Sequence, residues 1–92
     1  MTEGLTATVT VPNRLGLHAR AAAKLVELAN RYESHIEVSK AGQAADAKSI
    51  MGVLLLCGQR GAQITIRARG TDAAAAIDAL RSLVADGFGE MQ

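Results

Sequence analysis

The sequence predicts an α+β fold. It is an open-faced β-sandwich, a four-stranded antiparallel sheet with three helices on one face, in the order β-α-β-β-α-β-α. Three observations predict it. Several segments alternate apolar and polar residues with period two, so each has one dry and one wet face. Others repeat apolar residues at helical spacing. Strands with a wet face belong to an antiparallel sheet covered on one side only, which gathers the helices on the other. At 92 residues, 49% of them apolar, the chain suits a single domain spanning 1–92.

Each element has its own signal. Leu5, Ala7, Val9 and Val11 alternate with Thr6, Thr8 and Thr10, a first strand with those four side chains on its dry face. Ala22, Leu25, Val26, Ala29 and Tyr32 then form one face of a helix. Ile36 and Val38 alternate with His35, Glu37 and Ser39. Ala41-Gly42 reads as a turn, after which Gln43 to Asp46 returns as a short strand. Ser49 to Leu56 is long enough for a short helix. Ile64, Ile66 and Ala68 alternate with Thr65, Arg67 and Arg69. Ala73, Ile77, Leu80 and Val84 face inward from a last helix, capped by Thr71 or Asp72 and ended at Gly87 and Gly89.

Composition excludes several functions. A formal net charge of +1 is too small for a general nucleic-acid binder. With Tyr32 and Phe88 as the only aromatics, there is no platform for base stacking. Cys57 is the only cysteine, so no internal disulfide forms; after Leu54-Leu55-Leu56 it is expected to be a buried core thiol. No charged segment leads into a long apolar run, so no signal peptide is expected. Apolar stretches are too short to span a membrane, and a cytoplasmic protein is expected. His18 and His35 are far apart and lack a carboxylate or cysteine cluster, so no metal site is expected. His35 reads as a solvated side chain.

Two segments carry chemistry. Gly16-Leu17-His18-Ala19-Arg20 runs into the alanine-rich start of a helix. A helix N-terminus attracts anions through unpaired amides and partial positive charge. Histidine is a nucleophile whose neutral form is plentiful near pH 7. The pair suggests a histidine that carries a phosphoryl group; a surface histidine that merely starts a helix is the plain alternative. In the second segment, Ser49 precedes the apolar run Ile50, Met51, Val53, Leu54, Leu55 and Leu56. As an N-cap its hydroxyl accepts a backbone hydrogen bond. A short helix buries one stripe, which leaves some of these side chains as an exposed docking patch. A segment buried on several sides, or partly strand, is the alternative.

Taken together, Asn13-Arg14-Leu15-Gly16-Leu17-His18-Ala19-Arg20, Ala47-Lys48-Ser49-Ile50-Met51-Gly52-Val53 and Gly87-Phe88-Gly89-Glu90 resemble the HPr family of phosphocarriers. These serve the bacterial phosphoenolpyruvate-dependent phosphotransferase system. The resemblance covers nearly the whole chain. It implies that His18 accepts a phosphoryl group from enzyme I and passes it to an enzyme II component, in a sugar-uptake or nitrogen-type pathway. It implies that Arg20 steadies the phosphate and that Ser49 is the target of an ATP-dependent serine kinase where one exists. No cofactor is called for, and a monomer is expected. The family often has proline after the arginine, where this chain has Ala21; alanine is simply a good helix former there.

The docking surface expected around His18 has an apolar part, Leu17, Ile50, Met51 and Leu54, and a basic part, Arg14, Lys24 and Arg60. Gly16, lacking a side chain, is expected to let a partner approach closely. Two other functions fit less of the sequence. A small-ligand-sensing domain does not require His18-Ala19-Arg20. A regulator signalling mainly through Ser49 would not need His18.

Overall fold

The computed structural model describes residues 4–90. Its elements follow the expected order: β1 (Leu5–Thr10), α1 (Ala19–Ala29), β2 (His35–Lys40), β3 (Gln43–Asp46), α2 (Ile50–Leu55), β4 (Gln63–Arg69) and α3 (Ala73–Ala85). A single 3-10 turn, Gly87–Gly89, follows among the described residues. The strands form one antiparallel sheet in the order β1-β4-β2-β3. The open-faced sandwich is thus the observed architecture.

Alternation decides the two central strands. Ile64, Ile66 and Ala68 on β4, and Ile36 and Val38 on β2, are fully buried. Residues between them in sequence face the open side; Thr8 and Thr65, directly opposite across β1 and β4, share a hydroxyl hydrogen bond of 3.2 Å. Ala21, Ala22, Leu25, Val26 and Ala29 of α1 are buried, as are Ala73, Ala76, Leu80 and Val84 of α3. Burial of each such leucine or isoleucine contributes about 1.5–3 kcal/mol. The β2–β3 connection is a two-residue hairpin in which Ala41 and Gly42 both have positive φ, 50° and 86°. That backbone matches the right-handed twist of the strands it joins.

Four expectations need correction. Leu5 is 46% exposed and Ala7 and Val9 are only half-buried; Val11, just past the strand, is the fully buried member of the set. The reason is position, because β1 is an edge strand with β4 on one side only. Helix α1 stops at Ala29, so Tyr32 lies beyond it, half-buried in the following turn. Asp72 occupies the position before α3 without capping it. Its carboxylate instead accepts hydrogen bonds from the Ser34 hydroxyl and from the Glu33 and Ser34 amides, tying α3 to the start of β2. Finally, Cys57 is exposed, not a core thiol. Leu56 points inward, and the chain then turns through a left-handed backbone at Cys57 (φ 55°), which puts the thiol outside.

Candidate functional site

The segment before α1 is held by backbone contacts. Leu17 N–H donates to Gly58 O at 2.7 Å, and Gly16 N–H to Asn13 O at 3.1 Å. Gly16 has φ 63°, and a Cβ there would lie 2.3 Å from Gly58 O. Its lack of a side chain therefore serves an internal contact, not the approach of a partner. Leu17 follows it into the core at 5% exposure, so it is no part of a docking patch either. With this loop pinned, α1 begins at a set place.

His18 occupies the N-cap position of α1 with extended backbone, and its side chain makes no capping bond. The first intrahelical bond runs from Ala22 N–H to His18 O at 2.8 Å. The amides of Ala19, Arg20 and Ala21 therefore lack helical partners, and no acidic residue fills the first turn. The imidazole is free to face a cleft of about 570 Å³ lined by Arg14, Leu15, His18, Ala19, Arg20 and Glu90. Arg20 is exposed beside it. A second recess, which shares Arg14, Leu15 and His18 with the first, is lined also by Cys57, Gln59 and Arg60.

Glu90 closes the cleft. Its Oε1 accepts from His18 Nε2 at 2.6 Å and from Asn13 Nδ2 at 2.8 Å. The His18 bond above all, with help from Asn13 and the positive charge of Lys24, holds the Glu90 carboxyl below its ordinary range, against an opposing effect of desolvation. An ionised carboxylate only accepts, so Nε2–H is the donor to Glu90, and in the neutral form of such a ring the lone pair lies on Nδ1. Asn13 is fully buried and also donates to Gly16 O at 2.9 Å. Lys24 was expected to face a partner; its ammonium instead donates to Phe88 O at 2.7 Å. With Phe88 buried, that bond straps the turn Gly87–Gly89 against α1.

Helix α2 stands nearby, packed against α1. Ser49 caps it as expected, Oγ accepting from Gly52 N–H at 3.1 Å. Ile50 and Met51 are exposed, Leu54 is half-buried, and Leu55 and Leu15 are the most exposed large apolar side chains besides Met51. Leu15, which lines the His18 cleft, thus takes the place expected of Leu17, while Leu55 lies in a recess against β3 with Gln43, Ala44 and Ala45. Sequence reasoning also missed Glu90 as a partner of His18. The only signal was its place in the closing Gly87-Phe88-Gly89-Glu90 motif, because the contact spans 72 residues.

Comparison with known proteins agrees with this geometry. A family model described as PTS HPr component phosphorylation site matches residues 5–86. The phosphocarrier protein HPr of Cupriavidus necator is 48% identical over 81 residues, covering 88% of this chain and 91% of that protein. The phosphocarrier protein NPr of Shewanella violacea is 44% identical over 82 residues, 89% of this chain and 90% of that one. Among solved structures, HPr-C-His from Thermoanaerobacter tengcongensis superposes with a TM-score of 0.92 at 39% identity, covering 96% of this chain and 99% of that one. Among the described residues no helix is long and apolar enough to cross a membrane. With the family's motifs, fold and extent all present, the chain belongs to the HPr family of phosphotransferase-system phosphocarriers.

Proposed function

We propose that His18 accepts a phosphoryl group from phosphorylated enzyme I at Nδ1 and hands it to an enzyme II component of a sugar-uptake or nitrogen-type pathway. The observation that carries this reading is the placement of one imidazole at an uncapped helix N-terminus, in a cleft shared with Arg20. With Nε2 bonded to Glu90, the Nδ1 lone pair is the available nucleophile. The pair attacks phosphorus as the donor's bond to phosphorus breaks. The unpaired amides of α1 suit the anion that results. The Arg20 guanidinium, always charged, offers a planar fork to phosphate oxygens. The chain is itself the substrate of successive transfers, so it acts as a carrier and not as a conventional enzyme, a monomer in the cytoplasm.

Partners dock on the apolar surface of Leu15, Ile50, Met51, Leu54 and Leu55, with Arg14 and Arg60 attracting an acidic face and speeding encounter. Ser49 is the regulatory site for a serine kinase. A phosphate there brings close to two negative charges to the edge of that surface and weakens docking through desolvation and like-charge repulsion. The test uses radiolabelled phosphoenolpyruvate with enzyme I, the labelled residue being mapped under alkaline conditions. Label is expected on His18 and absent from His18→Ala. Label on His35, or retained in His18→Ala, would overturn the assignment.

A further inference from the structure

We propose that Lys40 is a positioning residue for His18, acting through the corner 56–58 that pins the loop before α1. The inference rests on His18 being the phosphoacceptor. Its own support begins on β2, where Ile36, Val38 and Lys40 hold alternate positions and so share a face. The first two are fully buried, and the third is a half-buried lysine. A charge at the end of a dry series needs partners. The Lys40 ammonium has two, donating to Leu56 O at 3.0 Å and to Cys57 O at 2.9 Å. Leu56 is the C-cap of α2, so these carbonyls lie at the helix end that is left unpaired and partly negative. A lysine stem can lie along an apolar face while its ammonium reaches such a place.

The corner that Lys40 holds is in backbone contact with the His18 loop. The chain turns through φ 55° at Cys57, and Gly58 follows, buried. Gly58 O accepts Leu17 N–H at 2.7 Å. A Cβ on Gly58 would lie 2.6 Å from Leu17 Cδ1, and one on Gly16 would lie 2.3 Å from Gly58 O. The two segments thus meet with no room for a methyl group between them. Leu17, His18, Cys57 and Gly58 line one recess. The path from Lys40 is short: two carbonyls, one residue on to Gly58, and one hydrogen bond across to the residue before His18.

The loop has little else to set its height. The bonds from Gly16 N–H to Asn13 O and from Asn13 Nδ2 to Gly16 O close it on itself. Among the described residues, Leu17–Gly58 is the one backbone bond that ties 13–18 to a distant segment. His18 itself makes no capping bond that would fix the start of α1. Lys40 makes no ion pair among the described residues, so its charge is committed to the two carbonyls. Charge-assisted bonds of this kind are roughly twice as strong as neutral ones. A nucleophile displaced by a fraction of an ångström loses rate, even when the displacement starts far from the chemistry. Lys40 therefore bears on transfer without touching the imidazole or the phosphoryl group.

The experiment compares the full chain as wild type, Lys40→Met and Lys40→Arg. Methionine keeps an unbranched stem and removes the charge; arginine keeps a charge with donors for both carbonyls. Hydrogen exchange is read at the Leu17 amide and, as the standard for global opening, at the Ile64 and Ile66 amides of β4. In Lys40→Met, Leu17 should exchange at least about tenfold faster relative to the β4 amides, and in Lys40→Arg less than about threefold faster. With phosphorylated enzyme I, kcat for labelling Lys40→Met should fall several-fold while KM for the chain stays within about twofold of wild type. Arginine should restore kcat. Leu17 and the β4 amides accelerating together would make Lys40 a stabiliser of the fold alone and overturn the proposal. An unchanged Leu17 rate, or a loss confined to KM, would overturn it too, leaving His18 as the acceptor. Failure of wild type to take label on His18 would instead overturn the reading on which it rests, and the positioning role with it.

Discussion

Helices α1 and α2 pack against each other, the start of each toward the end of the other, and they begin differently. At α2 the Ser49 hydroxyl turns back and accepts Gly52 N–H, so the helix satisfies part of its own N-terminus. At α1 the residue in the same position is His18, whose side chain turns away to Glu90 and caps nothing. Both helices are short, 11 and 6 residues, and neither has an acidic residue in its first turn. The difference teaches what each end is for. A capped end stabilises the fold and leaves little unsatisfied. An uncapped end leaves its amides open, which under the proposed function serves the phosphoryl group, and the preceding loop is pinned at Gly58 without a cap.

Giving α1 a cap breaks the contrast most severely. His18→Ser should take no label from phosphorylated enzyme I. Its stability should stay within about 1 kcal/mol of wild type, the gained cap offsetting the lost Glu90 bond. Chemical denaturation alongside the labelling assay checks both halves, and a labelled His18→Ser would place the acceptor elsewhere. Arg20→Ala should slow phosphoryl transfer at least about tenfold, roughly 1.4 kcal/mol of transition-state stabilisation, with little change in melting temperature. Rapid-quench transfer rates that match wild type would remove Arg20 from the site.

At the other helix the expected effects invert. Ser49→Ala should cost about 1 kcal/mol of stability through the lost cap, with His18 labelled at an unchanged rate. A slowed rate in that variant would mean that the two helix ends are coupled and the contrast is wrong. A smaller effect concerns pH. Asp72, which spends its carboxylate on Ser34 and Glu33 and caps nothing, is held below the usual carboxylate range chiefly by the Ser34 hydroxyl and then by the Glu33 amide. A lowered folded pKa contributes stability above the unfolded pKa that is lost as pH falls through the folded value. Asp72→Asn should therefore flatten the acid side of the stability profile below about pH 4 and change its neutral part less steeply. Denaturant melts across that range measure the slope, and an unchanged slope would separate Asp72 from acid unfolding.

The two regions also differ in how far they could be read from sequence. Ser49 as a cap, Ile50 and Met51 as exposed, and the helix mouth at His18 with Arg20 beside it all follow from residues within one or two helical turns. The Glu90–Asn13–His18 cluster does not, because its members lie 72 and 77 residues apart. Leu17 and Cys57 mislead for a related reason. Cys57 follows Leu56 and Leu17 lies two residues after Leu15, and which member of each pair points inward is decided by the turn it sits on, not by its hydrophobicity.

By itself, the sequence determined the order of elements, the faces of the central strands and the identity of the residues at both helix mouths. Those properties depend on the periods of two and 3.6 residues and on capping chemistry, all of which act within a few residues. Only the tertiary structure decided which strands became edges, so that Leu5 stays exposed while Ile64 and Ile66 are fully buried. It also decided that Gly16 meets Gly58, that Leu17 turns inward and Cys57 outward, and that a carboxylate near the end of the chain rests on the histidine near its start. The physical reason is chain closure: such contacts form only after the core has brought distant segments together, and no local window of residues encodes that distance.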